Sequence, residues 1–228
     1  MWWFRGLHAN LQAEWRRRGG AGAARALDAG CGTGGFLARL AAAAPGLRAT
    51  GLERDMGAAR VARGKSGCPV AAGDVNALPF ADRAFDVIFS ADVLCHRGVA
   101  ERAALEGFRR CLRPGGLLVL NLPAYRWLYS AHDVAVDNAR RYGRKELLSL
   151  LAETGFAAAE ARYWNSVLFP LMLLRRKLGR GRAESEVALL PATLERLFAA
   201  CLALERRLVA AGIRLPFGGS ILATAVRP

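Results

Sequence analysis

Residues 27–35 read LDAGCGTGG, an apolar stretch that ends in an acid and runs straight into four glycines. Gly30, Gly32 and Gly34 let the backbone turn sharply and come close to a ligand, since a Cβ there would block both the φ values and the approach. A helix over about 36–44 then points its N-terminal amides at whatever lies above the loop. Gly30, Gly32 and Gly35 also satisfy G-x-G-x-x-G, so the glycines alone do not separate NAD from other adenosine cofactors. Three acids sharpen the reading. Asp28, just before the first glycine, can fix the loop or meet a cationic group of a ligand. Glu53 ends the next apolar stretch, LRATGLE, at the spacing expected of an acid that accepts both ribose hydroxyls. Asp74, in AAGDVNALPF, can accept a hydrogen bond from an adenine amine, with Met56, Val75 and Leu78 flanking the ring. Each also has a plainer role: Glu53 with Arg54 and Asp55 as a solvated charge cluster, Asp74 as the cap of a turn.

Groups of this kind must be delivered to one place by the elements that carry them. Apolar stretches at 25–28, 48–53, 69–72, 85–90 and 116–120 alternate with helical stretches, which predicts a parallel, doubly wound sheet whose carboxyl edge gathers the acids. Residues 113–116, RPGG, read as the turn into the fifth strand. A helix over 145–153 ends at Gly155, and a sixth strand follows at 157–164. The polar and aromatic stretch 125–142 is too rich in functional groups to be a plain connection, and loops at such an edge carry function.

In order along the chain, 27–34, Glu53, GDVNALPF at 73–80, FDVI at 85–88 and LRPGG at 112–116 together resemble the class I S-adenosylmethionine-dependent methyltransferases, over roughly 25–156. That resemblance implies an α/β Rossmann-like sheet of seven strands, mostly parallel, with an antiparallel last strand. Only 220–226 can supply that strand, so 165–219 reads as a helical insertion within a single domain spanning 1–228. The implied cofactor, S-adenosyl-L-methionine, has its methionine end near Asp28 and Gly30, its ribose on Glu53 and its adenine by Asp74. Gly32, Gly34, Arg54 and Val75 complete the implied cofactor set.

In that family positioning does most of the catalysis, and an oxygen or nitrogen acceptor must also lose a proton. His132, beside Asp133, is the leading candidate to take it, and His96 the alternative. Tyr125, Tyr129 and Tyr142 are candidates to shape an acceptor pocket, and Arg140 with Arg141 to hold an acidic group. The base-methylating motif N/D-P-P-Y/F is absent after the fourth strand, where the chain reads SADVLCH. A small-molecule or lipid- or isoprenoid-linked acceptor, oxygen favoured, therefore stands ahead of nucleic acid. Two competing readings are an NAD-dependent oxidoreductase and a non-catalytic module that binds a membrane surface or a partner.

Composition bounds the rest. At 228 residues and 53% hydrophobic content the chain can bury a full core. Its five cysteines are an odd number without a C-x-x-C pair, which argues against a disulfide framework or a zinc site and for a reducing compartment. No metal is expected. No secretory signal is visible, and the expected location is cytoplasmic, with peripheral attachment to the inner membrane as an extension of it. Net charge is +14, and only Lys65, Lys145 and Lys177 of 33 basic residues are not arginine. Such a balance fits solvated helix faces, anionic headgroups or a phosphorylated substrate. Residues 1–24 open on MWWFRGLHANLQAEW, a helix read as a lid over the cofactor crevice or as core packing. In the insertion, an apolar run from Val167 meets arginines in the basic cluster 175–182, too short to span a bilayer yet able to lie in its interface, wall a pocket or pair two copies.

Overall fold

The computed structural model describes residues 1–19, 22–178 and 190–228, without the side chains of 175–178, so the basic cluster at 175–182 lies outside the described side chains. Seven strands form one sheet in the order β3-β2-β1-β4-β5-β7-β6. They are β1 (Arg25–Ala29), β2 (Arg48–Glu53), β3 (Val70–Ala72), β4 (Phe85–Ala91), β5 (Leu112–Pro123), β6 (Ala157–Trp164) and β7 (Ser220–Val226). The first five run parallel, while β7 lies antiparallel between β5 and β6.

Alternate strand residues build two cores, as the two-residue period of a strand requires. Leu27, Ile88, Leu118 and Ile221 face one side, where α4 (Glu101–Cys111) and α6 (Arg144–Glu153) supply Leu105, Phe108, Leu147 and Leu151. Ala26, Phe89, Val119 and Leu222 face the other, against Leu7, Leu11 and Trp15 of α1 (Trp2–Arg17) and Leu37 and Leu40 of α2 (Gly35–Ala43). Phe89 is fully buried, with Phe36 edge-on at 5.0 Å and Trp15 at 6.2 Å. Emptying such a site costs about 3–5 kcal/mol. Because both faces are covered, the strands read as continuous apolar runs and are visible in the sequence.

One boundary departs from expectation. The expected turn at 113–116, with Gly115 at φ +71, lies inside β5 and not before it: Leu112 already pairs with Phe85, and the register shifts after that pair. The Gly115 amide donates to the Arg227 carbonyl, and the Arg227 amide to Gly116, so this bulge is held by the end of the chain and runs on as strand. At the far end of α6 the expected stop holds, with Gly155 at φ +81 and the Phe156 amide donating back to the Leu151 carbonyl.

Between β6 and β7 come α7 (Phe169–Leu178) and α8 (Ala192–Ala210). Buried Glu205 of α8 accepts the amides of Asn165 (2.6 Å), Ser166 (2.8 Å) and Val167 (3.3 Å), fixing the entry of α7 to its neighbour. The α1 helix packs on α8 through Trp2 and Phe198, 5.2 Å apart, and stacks Trp3 on Trp164 at 4.8 Å and 15°. Among the described residues no helix is long and apolar enough to cross a membrane.

Candidate functional site

Chain order reverses about β1: β2 and β3 lie on one side, β4 and β5 on the other. A crevice opens outside the carboxyl ends of the strands at such a reversal, and most of the predicted cofactor positions converge there. Asp28 is the penultimate residue of β1, and Gly30, Gly32 and Gly34 follow at φ +82, +53 and +75. A Cβ on Gly30 would lie 2.3 Å from Val93, and one on Gly34 2.7 Å from the Ala62 Cα of α3 (Met56–Ser66). Glycine is therefore required at both for sterics as well as for φ.

Electrostatics single out Asp28. It is 3% exposed, and its Oδ2 has no hydrogen-bond partner among the described residues. Burial pushes its pKa up to about 7, and the negative charge of Glu53 adds to the rise. A buried carboxylate oxygen left without a donor is the group that a cation would complete.

Glu53 binds the crest of the loop, its Oε2 accepting the Gly32 amide at 2.8 Å and its Oε1 the Asp55 amide at 3.0 Å. The acid that sequence spacing assigns to a ribose thus also braces the glycine turn. Arg54 reaches across the crevice, its Nη1 lying 3.2 Å from where a Cβ on Gly98 would stand. Asp74 follows β3, with one carboxylate oxygen accepting the Asn76 amide at 2.8 Å. Asn76 in turn donates to the Gly98 carbonyl and accepts from the Ala100 amide, both at 2.8 Å, tying the β3 tip to the segment after β4. Val75 is buried in the core beside Leu78, while Met56 is exposed.

Next to this cradle lies a cavity of about 360 Å³. Much of its wall is apolar, from Trp2, Trp3 and Phe4 of α1, Leu168, Leu171 and Met172 at α7, and Phe198 of α8. Asp92 stands at the tip of β4 with φ +54, one residue before the Val93 that packs on Gly30, so the two spaces adjoin. A non-glycine residue at positive φ is strained, and such strain gathers at functional sites. The Asn121 side chain at the tip of β5 donates to Asp92 Oδ1 at 2.9 Å and accepts from the Trp164 indole at 2.7 Å. Desolvation carries the Asp92 pKa up to about 7, against the opposing pull of the Asn121 hydrogen bond and the Arg141 charge.

Candidates from 125–142 divide between this cavity and other places. His96, His132 and Arg141 line the cavity together with Asp92. Asp133 does not. It is fully buried, bound by Arg141 at 2.8 Å and by the Ser130 amide at 2.9 Å, and the guanidinium and these hydrogen bonds hold its carboxyl below the usual range against burial. Its hydrogen bonds and ion pair in this geometry anchor the loop. Tyr129, Arg140 and Tyr142 line a separate cleft of about 330 Å³ with Glu101. There Arg140 pairs with Glu101 at 2.8 Å, and the buried Tyr142 hydroxyl reaches Glu101 at 2.8 Å and the Leu94 carbonyl at 2.9 Å. Tyr125 stacks on Tyr163 at 5.0 Å and lines neither space. Among the described residues no three His, Cys, Asp or Glu side chains cluster as a metal site would require.

Sequence reasoning missed Asp92 and Asn121. Both sit at strand tips beside the reversal point, the signal that found Asp28 and Glu53, but in SADVLCH only His96 drew attention.

Comparison with known proteins bears on this geometry. A family described as "Methyltransferase domain" matches residues 27–120. The chain is 33% identical over 154 residues to a 24-methylenesterol C-methyltransferase of Oryza sativa, covering 58% of this chain and 41% of that protein. It is 41% identical over 104 residues to a malonyl-[acyl-carrier protein] O-methyltransferase of Methylococcus capsulatus, covering 43% and 37%. The chain thus spans less than half the length of these curated relatives. Its fold matches that of a geranyl diphosphate C-methyltransferase from Streptomyces coelicolor, solved with S-adenosyl-L-homocysteine, at a TM-score of 0.61 and 16% identity over 90% of this chain and 72% of the other.

Proposed function

The chain belongs to the class I S-adenosylmethionine-dependent methyltransferases, and from that premise we propose that it transfers a methyl group to a small-molecule or lipid-linked acceptor held in the apolar cavity. The observation that carries the reading is adjacency. A buried carboxylate with an unsatisfied oxygen, Asp28, stands beside a glycine cradle that opens next to an apolar cavity floored by Asp92. The dinucleotide alternative draws no such support, because an antiparallel strand between β5 and β6 departs from the 3-2-1-4-5-6 order of that fold.

When bound, the cofactor supplies an electrophilic methyl group on a cationic sulfur. Asp28 would meet the positive charge at its methionine end, Glu53 the ribose and Asp74 the adenine, with Gly30, Gly32 and Gly34 allowing close approach and Arg54 and Val75 closing the sides. The apolar walls exclude water and orient the acceptor, which is where positioning catalysis resides. Asp92 would take the proton that an acceptor hydroxyl gives up; a carboxyl near pKa 7 is matched to that task. His132 and His96 are further candidate proton acceptors on the same cavity. The sterol named for one relative supports an apolar acceptor, and the acyl-carrier protein named for another a carrier-linked one. Under this reading the protein works in the cytoplasm and meets its acceptor at a membrane edge.

Calorimetric titration with S-adenosylmethionine and with S-adenosylhomocysteine tests the premise. Binding is expected for both, and Gly32→Val or Glu53→Ala should abolish it in a folded sample. A methyl-labelled cofactor incubated with total membrane lipid should then pass label to the organic phase. Heat with NAD and none with the two adenosyl compounds would overturn the proposal.

A further inference from the structure

The mouth of the cavity is fringed by apolar side chains from three separate segments. Phe4, Val136 and Leu171 all line it and are all exposed, at 45%, 39% and 49%. A pocket that opens on water is usually fringed with polar groups; a contiguous apolar rim marks an interaction surface. The patch continues outward. Leu174 lies one turn along α7 from Leu171, and Leu194 and Leu197 adjoin the cavity-lining Glu195 and Phe198 in the first turns of α8; all three leucines are exposed. On the opposite flank Trp127 is 65% exposed and meets the Phe169 ring of α7 edge-on at 6.5 Å.

Charge decides the occupant. Exposed Arg5 and Arg196 stand next in sequence to Phe4 and Leu197, Arg126 beside Trp127 is paired with Glu146, and the helix that carries Leu171 and Leu174 continues as RRK at 175–177. The whole chain carries +14. Apolar side chains, an amphipathic Trp and neighbouring arginines are the chemistry that binds the interface of an anionic bilayer. A second protein or a second copy on this rim would also stopper the cavity, whereas lipid leaves the mouth open to the acyl layer.

We propose that this rim docks on an anionic membrane surface, so that acceptors enter the cavity from the lipid side. The inference rests on the lipid-linked reading of the acceptor and adds the surface through which it arrives. Co-flotation with phosphatidylcholine vesicles, with and without phosphatidylglycerol, tests it. Arg5 and Arg196 at roughly fivefold each predict about a 25-fold preference for the anionic vesicles, declining as salt is raised. Leu197→Asp and Trp127→Glu, both at exposed positions, should each reduce vesicle binding about tenfold or more and leave the heat of S-adenosylhomocysteine binding unchanged. Protein that stays in the aqueous fraction with both vesicle types overturns the docking surface, as does vesicle binding that neither variant weakens. A dimer that Leu197→Asp dissociates, with no vesicle binding, overturns it in favour of a second copy. Homocysteine-adduct binding without vesicle binding removes the docking surface alone, and vesicle binding without that heat removes the methyl-transfer reading.

Discussion

Loading the cofactor should drive a proton off Asp28. In the folded chain this carboxyl titrates near 7 because it is buried and faces Glu53, against an ordinary value of 3.8. At pH 7 about half the molecules carry the proton, and at pH 6 about nine in ten. A cation placed against Oδ2 holds the carboxylate ionised, so binding should release about 0.5 proton at pH 7, about 0.9 at pH 6 and almost none at pH 9. Calorimetry in buffers of different ionisation enthalpy reads this number directly. Asp28→Asn should abolish the release and weaken binding.

The same gap bears on stability. A carboxyl whose folded pKa is raised favours the fold while protonated; that contribution is complete below about pH 4 and is lost as pH rises through about 7. The gap corresponds to at most about 4 kcal/mol. Asp28→Asn, without cofactor, should therefore be more stable than the parent above pH 7 and gain nothing near pH 4, as denaturant midpoints across pH will show. Proton release that persists unchanged in Asp28→Asn, or a variant less stable than its parent at pH 8, would refute the reasoning.

Three further outcomes are expected. Asn121→Leu leaves the Trp164 indole and Asp92 without their partner and should cost about 2–3 kcal/mol in urea unfolding. Breaking the buried Asp133–Arg141 pair from either side should cost about 3–5 kcal/mol, while replacing both with apolar residues restores most of it; an Asp133→Ala protein of full stability but no turnover would return Asp133 to catalysis. His8 is buried, and burial, with the Arg39 charge second, lowers its pKa to about 4 from 6.5. Its contribution to stability is present above pH 6.5 and lost as pH falls through about 4, so His8→Leu should raise the melting temperature relative to the parent near pH 4–5 and lose that advantage at pH 8.

Much of the frame was legible because its causes are local or periodic. Strands covered on both faces read as apolar runs, the glycine turn announces itself by residue type, and Gly155 ends its helix by a φ that few other residues adopt. What escaped depends on neighbours far apart in sequence. Asp92 acquires its environment from Asn121, 29 residues on, and from the burial at the β4 tip, neither of which a local pattern records. The loop 125–142 misled in the opposite direction. Its polar residues look catalytic in a one-dimensional reading, yet Asp133 pairs with Arg141, and Arg140 and Tyr142 hold Glu101, the internal fastening that an irregular buried loop needs. RPGG does bend the chain, with Gly115 at φ +71, but hydrogen bonds with Arg227 recruit that bend into the sheet.

Glu205 makes the start of α7 a dependant of α8, since one carboxylate gathers three successive amides from the other segment. Two walls of the cavity are thereby hung on a single post. A change at position 205 should therefore loosen both walls together and alter which guests fit without touching any of them.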